Sequence, residues 1–325
     1  MPEPSTEWTI GRLIEWTRGF FEKKGIPQPR LEAEILLAHV LGAERIDLYL
    51  RYEQPVSEDE RTRFRDLVRR RSEREPTRYL VGTCEFMSLA MKVTADCLIP
   101  RPETEQLVEE VLRRLGVRRR PASAMPAPKA PPAAPATEGA GAAVAPEASP
   151  VTIIDLCTGC GCVAVSLAAY LPAGRITASD ISPAALGVAR TNAEAHGVAD
   201  RITFLEGDLY APLDAADVQP ADFLLANPPY VAEREWAGLE PEVRVHEPRL
   251  ALVSGPVGTE TIERLLKGAP AYLRPGGTLL VEIGNGQGPA VLEKAAAVRG
   301  LTGAEILKDY AGHDRILVAR KETAG

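Results

Sequence analysis

The residues that point most directly to chemistry form the tetrapeptide Asn227-Pro-Pro-Tyr230, which follows the apolar run Ala221–Ala226. An amide or exocyclic amine is a poor nucleophile because its lone pair is delocalised, so alkylating it requires holding the nitrogen in line with the electrophile. The Asn227 side-chain oxygen and the Pro228 carbonyl can each accept one N–H of such a group. Pro228 and Pro229 stiffen the segment, and Tyr230 offers a face for a planar amide. The tetrapeptide favours an amino-group methyltransferase; a rigid turn after a strand is the structural alternative.

A glycine-containing loop, Asp155-Leu-Cys-Thr-Gly-Cys-Gly161, joins a strand-like run to a helical pattern. Gly159 and Gly161 would let the backbone approach a ligand above a helix N-terminus. Asp180 ends the next strand-like run, where a carboxylate can accept both ribose hydroxyls of a nucleoside. The spacing lacks a phosphate-binding fingerprint, so the expected ligand is S-adenosylmethionine, a nucleoside without pyrophosphate. A plain strand–helix turn is the alternative.

The loop also invites a metal interpretation, because Cys157, Cys160 and Cys162 lie within six residues. Only three ligands are clustered, no histidine lies near them in sequence, and the helix beginning at Val163 needs this loop as its start. We therefore expect no metal. Five cysteines in total make a disulfide framework improbable and favour a reducing, cytoplasmic location.

Strand-like and helical runs alternate from Val151 to the end of the chain. The predicted strands are Val151–Asp155, Arg175–Asp180, Arg201–Glu206, Ala221–Ala226, Thr278–Ile283, Ala304–Lys308 and Arg315–Ala319. The predicted helices between them are Val163–Tyr170, Pro183–Ala195 and Glu260–Leu273. This alternation predicts an α/β domain whose mainly parallel sheet is covered on both faces. The last two strands lack a clear intervening helix and are expected to form an antiparallel hairpin.

Residues 1–78 show apolar side chains at spacings of three and four, which predicts a small helical bundle. Its third helix opens with Ser57 and Glu60 at capping-box spacing and should stop before Pro76. That helix is rich in arginine, and its charged faces could meet an acidic partner or RNA, although a solvated surface is the simpler interpretation. Residues 79–100 predict a connecting β-hairpin, with strands at 79–86 and 89–94.

The segment 116–150 differs in composition from the rest of the chain. Of residues 121–150, 8 are proline and 12 are alanine. Such a stretch cannot build a packed core, so we expect a disordered insertion within a catalytic domain of residues 101–325.

The overall composition excludes several classes of protein. A net charge of -7 gives no global field that would attract nucleic acid. There is no run of 18 apolar residues, so we expect no membrane association. The polar, acidic N-terminus resembles neither a secretory signal nor a transit peptide.

Further blocks give the chain a recognisable pattern: Ile99–Glu105, His246–Leu252, Glu282–Gln287 and Lys308–Arg315. With the motifs above, they resemble the bacterial peptide chain release factor glutamine methyltransferases (HemK type) over nearly everything except 116–150. The resemblance implies a Rossmann-like class I methyltransferase sheet of seven strands, preceded by a helical substrate-recognition domain. It implies methyl transfer from S-adenosylmethionine to the side-chain nitrogen of the glutamine in a Gly-Gly-Gln motif, with S-adenosylhomocysteine as the other product.

The same resemblance implies roles for individual residues. The cofactor contacts would be Asp155, Cys157, Thr158, Gly159, Cys160, Gly161, Asp180, Asp208, Leu209 and Asn227. The catalytic and glutamine-binding residues would be Asn227, Pro228, Pro229 and Tyr230. Arg101 and Glu103 would line the substrate mouth; a helix start and an ordinary surface ion pair is the alternative. The chain departs from the family at Cys157, where glycine is usual, and at Leu209, where an aromatic residue is common.

Other functions share parts of this pattern. Glutamine methylation of a ribosomal protein would use identical chemistry, and only the N-terminal domain could select the partner. DNA adenine methylation would require a basic recognition region and more aromatic residues for base stacking. A cofactor-binding scaffold without activity would not need an intact Asn227-Pro-Pro-Tyr230. We therefore expect a monomeric enzyme that acts on release factors and makes no direct contact with nucleic acid.

Overall fold

The computed structural model describes residues 7–118 and 150–323. The chain divides into two units, one formed by Met1–Thr83 with Glu240–His246 and the other by Cys84–Leu239 with Glu247–Gly325. Most of the insertion expected at 116–150, namely residues 119–149, lies outside the described residues. Within the described residues, no helix combines the length and the apolar character needed to cross a bilayer.

The first unit is the predicted helical bundle. Its helices are α1 (Ile10–Lys23), α2 (Pro29–Leu41), α3 (Arg45–Leu50), α4 (Glu58–Ser72) and α5 (Thr77–Val81). Apolar side chains that recur at helical spacing pack at the centre, among them Ile14, Phe21, Leu36 and Phe64. The short helices α3 and α5 were not predicted.

The arginine-rich helix α4 begins and ends near its predicted limits. The Ser57 side chain accepts the Glu60 N–H and so caps the helix. The Glu60 carboxylate accepts the Ser57 backbone N–H at 2.9 Å, which completes the capping box. One of its arginines is not on a solvated face: Arg71 is 5% exposed and donates to Glu32 at 2.8 Å and Glu242 at 3.2 Å. The helix therefore holds part of its own unit together by charge.

The predicted hairpin is shorter than expected. Its strands are β1 (Thr83–Phe86) and β2 (Leu89–Lys92). The expected strand over Tyr79–Gly82 is wrong, because α5 occupies most of that segment and ends at Gly82, which adopts a left-handed φ of 74°. Pro76 is the N-cap of α5, and its carbonyl accepts the N–H groups of Tyr79 and Leu80 at 3.0 and 3.1 Å, which starts the helix.

The second unit contains a seven-stranded sheet, as predicted. Its strands are β3 (Thr152–Leu156), β4 (Arg175–Asp180), β5 (Ile202–Glu206), β6 (Ala221–Ala226), β9 (Leu273–Glu282), β10 (Leu301–Lys308) and β11 (Asp314–Lys321). A separate two-stranded pair consists of β7 (Val231–Ala232) and β8 (Val253–Gly255). The order in the large sheet is β10-β11-β9-β6-β3-β4-β5. Strands β9, β6, β3, β4 and β5 run parallel, and β11 pairs antiparallel with both β9 and β10.

The remaining helices are α6 (Glu105–Arg114), α7 (Cys162–Tyr170), α8 (Pro183–Ala195), α9 (Ala211–Ala215), α10 (Pro241–His246), α11 (Glu260–Tyr272) and α12 (Gly288–Ala296). Helix α10 belongs to the helical unit. The helices α9, α10 and α12 were not predicted. Central strands β3 and β6 are buried almost throughout, as expected for parallel strands covered on both faces. Their carboxyl ends therefore meet at one edge, where the site residues lie.

Candidate active site

The loop after β3 is fixed by hydrogen bonds to the end of β4. The Thr158 backbone N–H donates to the Ser179 carbonyl at 3.0 Å, and the Gly159 N–H donates to Asp180 Oδ2 at 2.8 Å. The other oxygen of Asp180 accepts the Ser182 N–H at 2.9 Å, just before α8. Each carboxylate oxygen has a second lone pair, so Asp180 keeps acceptor capacity for a ligand.

The two glycines of the loop serve different purposes. Gly159 has φ 57°, and a Cβ built there would meet no atom within 4 Å, so the residue borders open space. Gly161 has φ 80°, and a Cβ there would lie 2.9 Å from the Cβ of Ala189 on α8. Gly161 is therefore required for close packing of α7 against α8, while Gly159 leaves room above the loop.

A cavity of about 260 Å³ lies above this loop, within the second unit. The predicted site residues that line it are Asp155, Cys157, Thr158, Gly159, Cys160, Asp180, Asp208, Leu209, Asn227 and Pro229. Gly161, Pro228, Tyr230, Arg101 and Glu103 are not among its lining residues. The cavity thus joins the glycine loop to the start of the Asn227–Tyr230 tetrapeptide.

The cavity carries negative charge. Asp155 is 1% exposed, and burial raises its pKa to about 7. The 2.6 Å hydrogen bond from the Thr158 hydroxyl lowers this pKa, and the negative charge of Asp180 raises it further. Burial also raises the pKa of Asp180, and the backbone N–H groups that it accepts oppose this. Asp208 pairs with Arg264 at the cavity wall. An acidic lining suits a cationic ligand, because a nearby positive charge favours the ionised carboxylates.

Two of the loop cysteines, Cys157 and Cys160, keep their thiol protons. Burial raises the pKa of the Cys157 thiol above its usual range, and a hydrogen bond with Cys162 does the same for Cys160. Cys157 has φ 58°, a left-handed conformation that disfavours a side chain and explains why glycine would suit this position. In residues 7–118 and 150–323, no three His, Cys, Asp or Glu side chains are arranged to hold a metal ion. The expectation of no metal stays a prediction.

Four side chains form a continuous chain of hydrogen bonds beside the cavity. The Asn227 amide Nδ2 donates to Thr104 Oγ1 at 3.1 Å, and the Thr104 hydroxyl donates to Glu282 Oε2 at 2.7 Å. The Tyr230 hydroxyl donates to Glu282 Oε1 at 3.4 Å. Glu282 is 1% exposed, and burial raises its pKa to about 7. The chain connects both ends of the tetrapeptide to one buried carboxyl group.

The backbone of Tyr230 is held from the opposite side. Gln287 Nε2 donates to the Tyr230 carbonyl at 2.9 Å, and Gln287 Oε1 accepts the Gly284 N–H at 2.9 Å. A Cβ on Gly258 would lie 2.6 Å from the Tyr230 carbonyl oxygen, so only glycine allows this approach. Burial, followed by the charge of Glu282, raises the pKa of the Tyr230 hydroxyl. Tyr230 is therefore a fixed, neutral ring next to the cavity.

Arg101 and Glu103 do not pair with each other. Arg101 forms an ion pair with Glu247, whose other oxygen accepts the Ile99 N–H at 3.3 Å. Glu247 is 5% exposed, so this pair fixes the segment before the short 3₁₀ turn Pro102–Thr104. That turn carries Thr104 to the cavity. Glu103 contributes a negative charge that raises the pKa of Glu282.

Sequence reasoning did not assign roles to Thr104, Glu247, Glu282 or Gln287. A signal was present, since each lies in a block that carries the family resemblance. The blocks do not reveal which residues meet, because Thr104, Asn227 and Glu282 are far apart in the chain and only the parallel sheet brings them together.

Comparison with known proteins gives two family matches. Residues 12–82 match the model described as the PrmC N-terminal domain, and residues 144–240 match the model described as the methyltransferase small domain. A release factor glutamine methyltransferase of Rhodopirellula baltica is 40% identical over 316 residues, covering 97% of each chain. A protein of the same name from Moorella thermoacetica is 42% identical over 295 residues, covering 91% of this chain and 92% of its own.

A solved structure shares the fold. The hMettl16 catalytic domain, solved in complex with the MAT2A 3'UTR hairpin 6, aligns with a TM-score of 0.51 over 80% of this chain and 83% of its own. The two chains are 16% identical. At that identity the likeness concerns the class I methyltransferase architecture alone.

Proposed function

Because this chain belongs to the release factor glutamine methyltransferase family, we propose that it transfers a methyl group from S-adenosylmethionine to a glutamine side-chain nitrogen of peptide chain release factors. The target would be the glutamine of the Gly-Gly-Gln motif. The observation that carries the proposal is Asn227, which lines the acidic cavity while its amide nitrogen is already bound to Thr104. The names of the relatives favour release factors over a ribosomal protein or DNA.

The proposed cofactor site is the acidic cavity. Asp180 would accept the ribose hydroxyls with its remaining lone pairs, and the backbone at Gly159 would lie against the ligand, since nothing occupies the space beside it. Asp155 would face positive charge, and Leu209 would offer apolar contact to the adenine. Bound S-adenosylmethionine supplies a sulfonium that activates its methyl group for transfer. These residues fit such a ligand, because they combine carboxylates, an open glycine and an apolar wall.

The substrate amide would be positioned by the tetrapeptide. Asn227 Oδ1 and the Pro228 carbonyl would each accept one N–H, which orients the nitrogen lone pair toward the transferred methyl group. Tyr230, held by Glu282 and Gln287, would stack on the amide plane. The nitrogen gains the methyl group and loses one proton to water, because an N-protonated amide is strongly acidic. The sulfur keeps the bonding electron pair.

Arg101 and Glu103 would border the substrate entrance without contacting the reacting groups. Arg101, fixed by Glu247, would border the entrance through which the glutamine arrives. Glu103 would lie at the same entrance, next to Thr104.

Peptide mass spectrometry of an unmodified release factor, incubated with the protein and S-adenosylmethionine, tests the proposal directly. We expect a single methyl group on the Gly-Gly-Gln glutamine. Asn227→Ala should reduce transfer by about 10²–10³-fold, as loss of an oriented polar contact does in other enzymes, with retained thermal stability. Full activity of Asn227→Ala, or methylation elsewhere only, would contradict the assignment.

A further inference from the structure

The amide of Asn227 is oriented by a chain of hydrogen bonds that ends on a buried carboxyl group. Asn227 follows β6, Thr104 precedes α6, and Glu282 ends β9. The links are 3.1 Å from Asn227 Nδ2 to Thr104 Oγ1 and 2.7 Å from Thr104 Oγ1 to Glu282 Oε2. Thr104 is 2% exposed and Glu282 is 1% exposed, so water has little access to compete for these bonds.

The direction of the chain depends on the charge of Glu282. An ionised carboxylate can only accept hydrogen bonds, so the single hydroxyl proton of Thr104 must point to Glu282. The Thr104 oxygen is then an acceptor, and the side of the Asn227 amide that faces it must be the NH₂ group. Because the amide is planar, its oxygen lies on the opposite arm, available to the cavity that Asn227 lines. An amide orientation that is often ambiguous is thereby determined.

Protonation of Glu282 would remove this constraint. A neutral carboxyl group can donate its proton to Thr104, and the Thr104 hydroxyl can then donate to Asn227. That arrangement favours the flipped amide, which would present NH₂ to the N–H of an incoming amide. Two donors cannot form a hydrogen bond, so such an enzyme molecule would hold its substrate poorly.

The groups around Glu282 bring its pKa close to neutral pH. Burial raises its pKa to about 7, the Thr104 hydrogen bond and the charge of Arg315 on β11 lower it, and the charge of Glu103 raises it. The Tyr230 hydroxyl faces the second oxygen at 3.4 Å. Both charge states are therefore populated near neutral pH.

We propose that Glu282, acting through Thr104, is a positioning residue that keeps the Asn227 oxygen turned toward the substrate amide. The proposal rests on the glutamine methyltransferase function given above. It assigns the Glu282–Thr104 pair to the correct presentation of the substrate nitrogen, not to proton transfer.

Two substitutions of Thr104 test the hydroxyl. Thr104→Val keeps the shape of the side chain but removes the hydroxyl, and kcat for release factor methylation should fall about 10–100-fold. Losses of this size follow removal of residues that orient metal ligands through hydrogen bonds. Thr104→Ser restores the hydroxyl and should recover most of that loss. The far-UV circular dichroism spectra of both variants should match that of the wild type, which separates positioning from loss of the fold. Equal kcat for wild type and Thr104→Val would overturn the proposal.

The substitution Glu282→Gln tests the charge. With saturating S-adenosylmethionine, so that Asp155 does not limit binding, wild-type kcat should fall as pH drops through about 7, because protonation of Glu282 releases Asn227. The isosteric Glu282→Gln cannot change protonation, so its profile should lack this acid limb. An unchanged limb in Glu282→Gln would refute the role of Glu282.

The same assay separates this proposal from the function on which it rests. If wild-type protein forms no methylglutamine, the proposed function fails and the positioning role fails with it. If wild-type protein forms the product and neither Thr104→Val nor Glu282→Gln behaves as described, the function stands and only the positioning role is rejected.

Discussion

Asp180 accepts the backbone N–H of Gly159 at 2.8 Å, which ties the carboxyl end of β4 to the glycine loop after β3. The same carboxylate accepts the Ser182 N–H with its other oxygen. Asp180 therefore shapes the loop before any ligand binds, and its remaining lone pairs face the cavity that it lines. The side chain that shapes the loop is thus the one proposed to accept the ribose hydroxyls of the ligand.

We expect Asp180→Asn to weaken S-adenosylmethionine binding by about 10–100-fold. An asparagine has only one acceptor oxygen, so it cannot accept a loop N–H and both ribose hydroxyls as the carboxylate can, and a lost hydrogen bond to a charged group costs about 1.5–3 kcal/mol of binding free energy. Isothermal titration calorimetry measures the affinity. Asp200→Asn, at an exposed position outside the cavity, is the matched control and should bind normally. Similar affinities for the two variants would argue against the proposed ribose contact.

Affinity for S-adenosylmethionine should depend on pH through Asp155. Burial raises the pKa of Asp155 to about 7, so much of it is neutral below that pH. A cationic ligand favours the ionised form, and the dissociation constant should therefore fall as pH rises from 6 to 8. Calorimetry at several pH values checks this. Asp155→Asn should flatten the dependence; an equal slope in the variant would assign the effect to another group.

Replacing Cys157 by glycine should stabilise the protein. The left-handed backbone at Cys157, with φ 58°, destabilises the folded protein by about 1–2 kcal/mol when the residue has a side chain. Glycine relieves this strain, but it also raises the conformational entropy of the unfolded chain, which offsets part of the gain in stability. A net gain of up to about 1 kcal/mol corresponds to a melting temperature higher by roughly 2–4 °C. Differential scanning fluorimetry measures it. Cys162→Gly, within α7, should lower the melting temperature instead, and a loss in both variants would contradict the strain argument.

The sheet could be predicted because each of its strands carries its own signal. Buried parallel strands such as β3 and β6 are continuous apolar runs, and Asp180 and Asn227 stand where those runs end. The segment Tyr79–Gly82 misled the prediction because β-branched and aromatic residues favour strands, whereas Pro76 and Gly82 delimit a helix there.

The hydrogen-bonded chain beside the cavity could not be predicted in the same way. In the sequence, Thr104 follows Glu103 at the segment where a helix start is the alternative interpretation, and Glu282 is an acidic residue near the end of the predicted strand Thr278–Ile283. Their 2.7 Å contact depends on the order of strands in the sheet, which places β9 next to β6. Sequence periodicity identifies elements and their buried faces, but long-range pairs between polar side chains depend on the three-dimensional arrangement.

The ring of Tyr230, more than its hydroxyl, should matter for catalysis. The hydroxyl contact with Glu282 is long at 3.4 Å, so Tyr230→Phe should reduce kcat/KM by only a fewfold. Tyr230→Ala removes the stacking face and should cost on the order of 10-fold or more, since aromatic stacking contributes about 1–3 kcal/mol in comparable contacts. Steady-state kinetics with a release factor substrate compares them. If Tyr230→Phe lost as much as Tyr230→Ala, the hydroxyl would be the important group.

Removal of Arg71 should destabilise the helical unit far more than removal of other arginines on α4. Arg71 bridges Glu32 and Glu242, and its side chain is only 6% exposed. Arg71→Ala would leave Glu32 without its cation and Glu242 with Arg74 as its remaining partner, and breaking a buried pair costs up to about 3–5 kcal/mol. Arg63→Ala, which removes an exposed pair with Asp59, should change stability by less than about 1 kcal/mol.

Urea unfolding followed by tryptophan fluorescence measures both variants, because Trp8 and Trp16 report on the helical unit. Simultaneous replacement of Arg71 and its partners by apolar residues of similar volume should recover much of the lost unfolding free energy. The single substitution destabilises the protein because it leaves a buried charge without a partner, not because an attraction is lost. A small effect of Arg71→Ala, comparable to that of Arg63→Ala, would mean that water solvates Glu32 and that Arg74 suffices for Glu242. In that case the arginine-rich helix would contribute to stability through its apolar face alone.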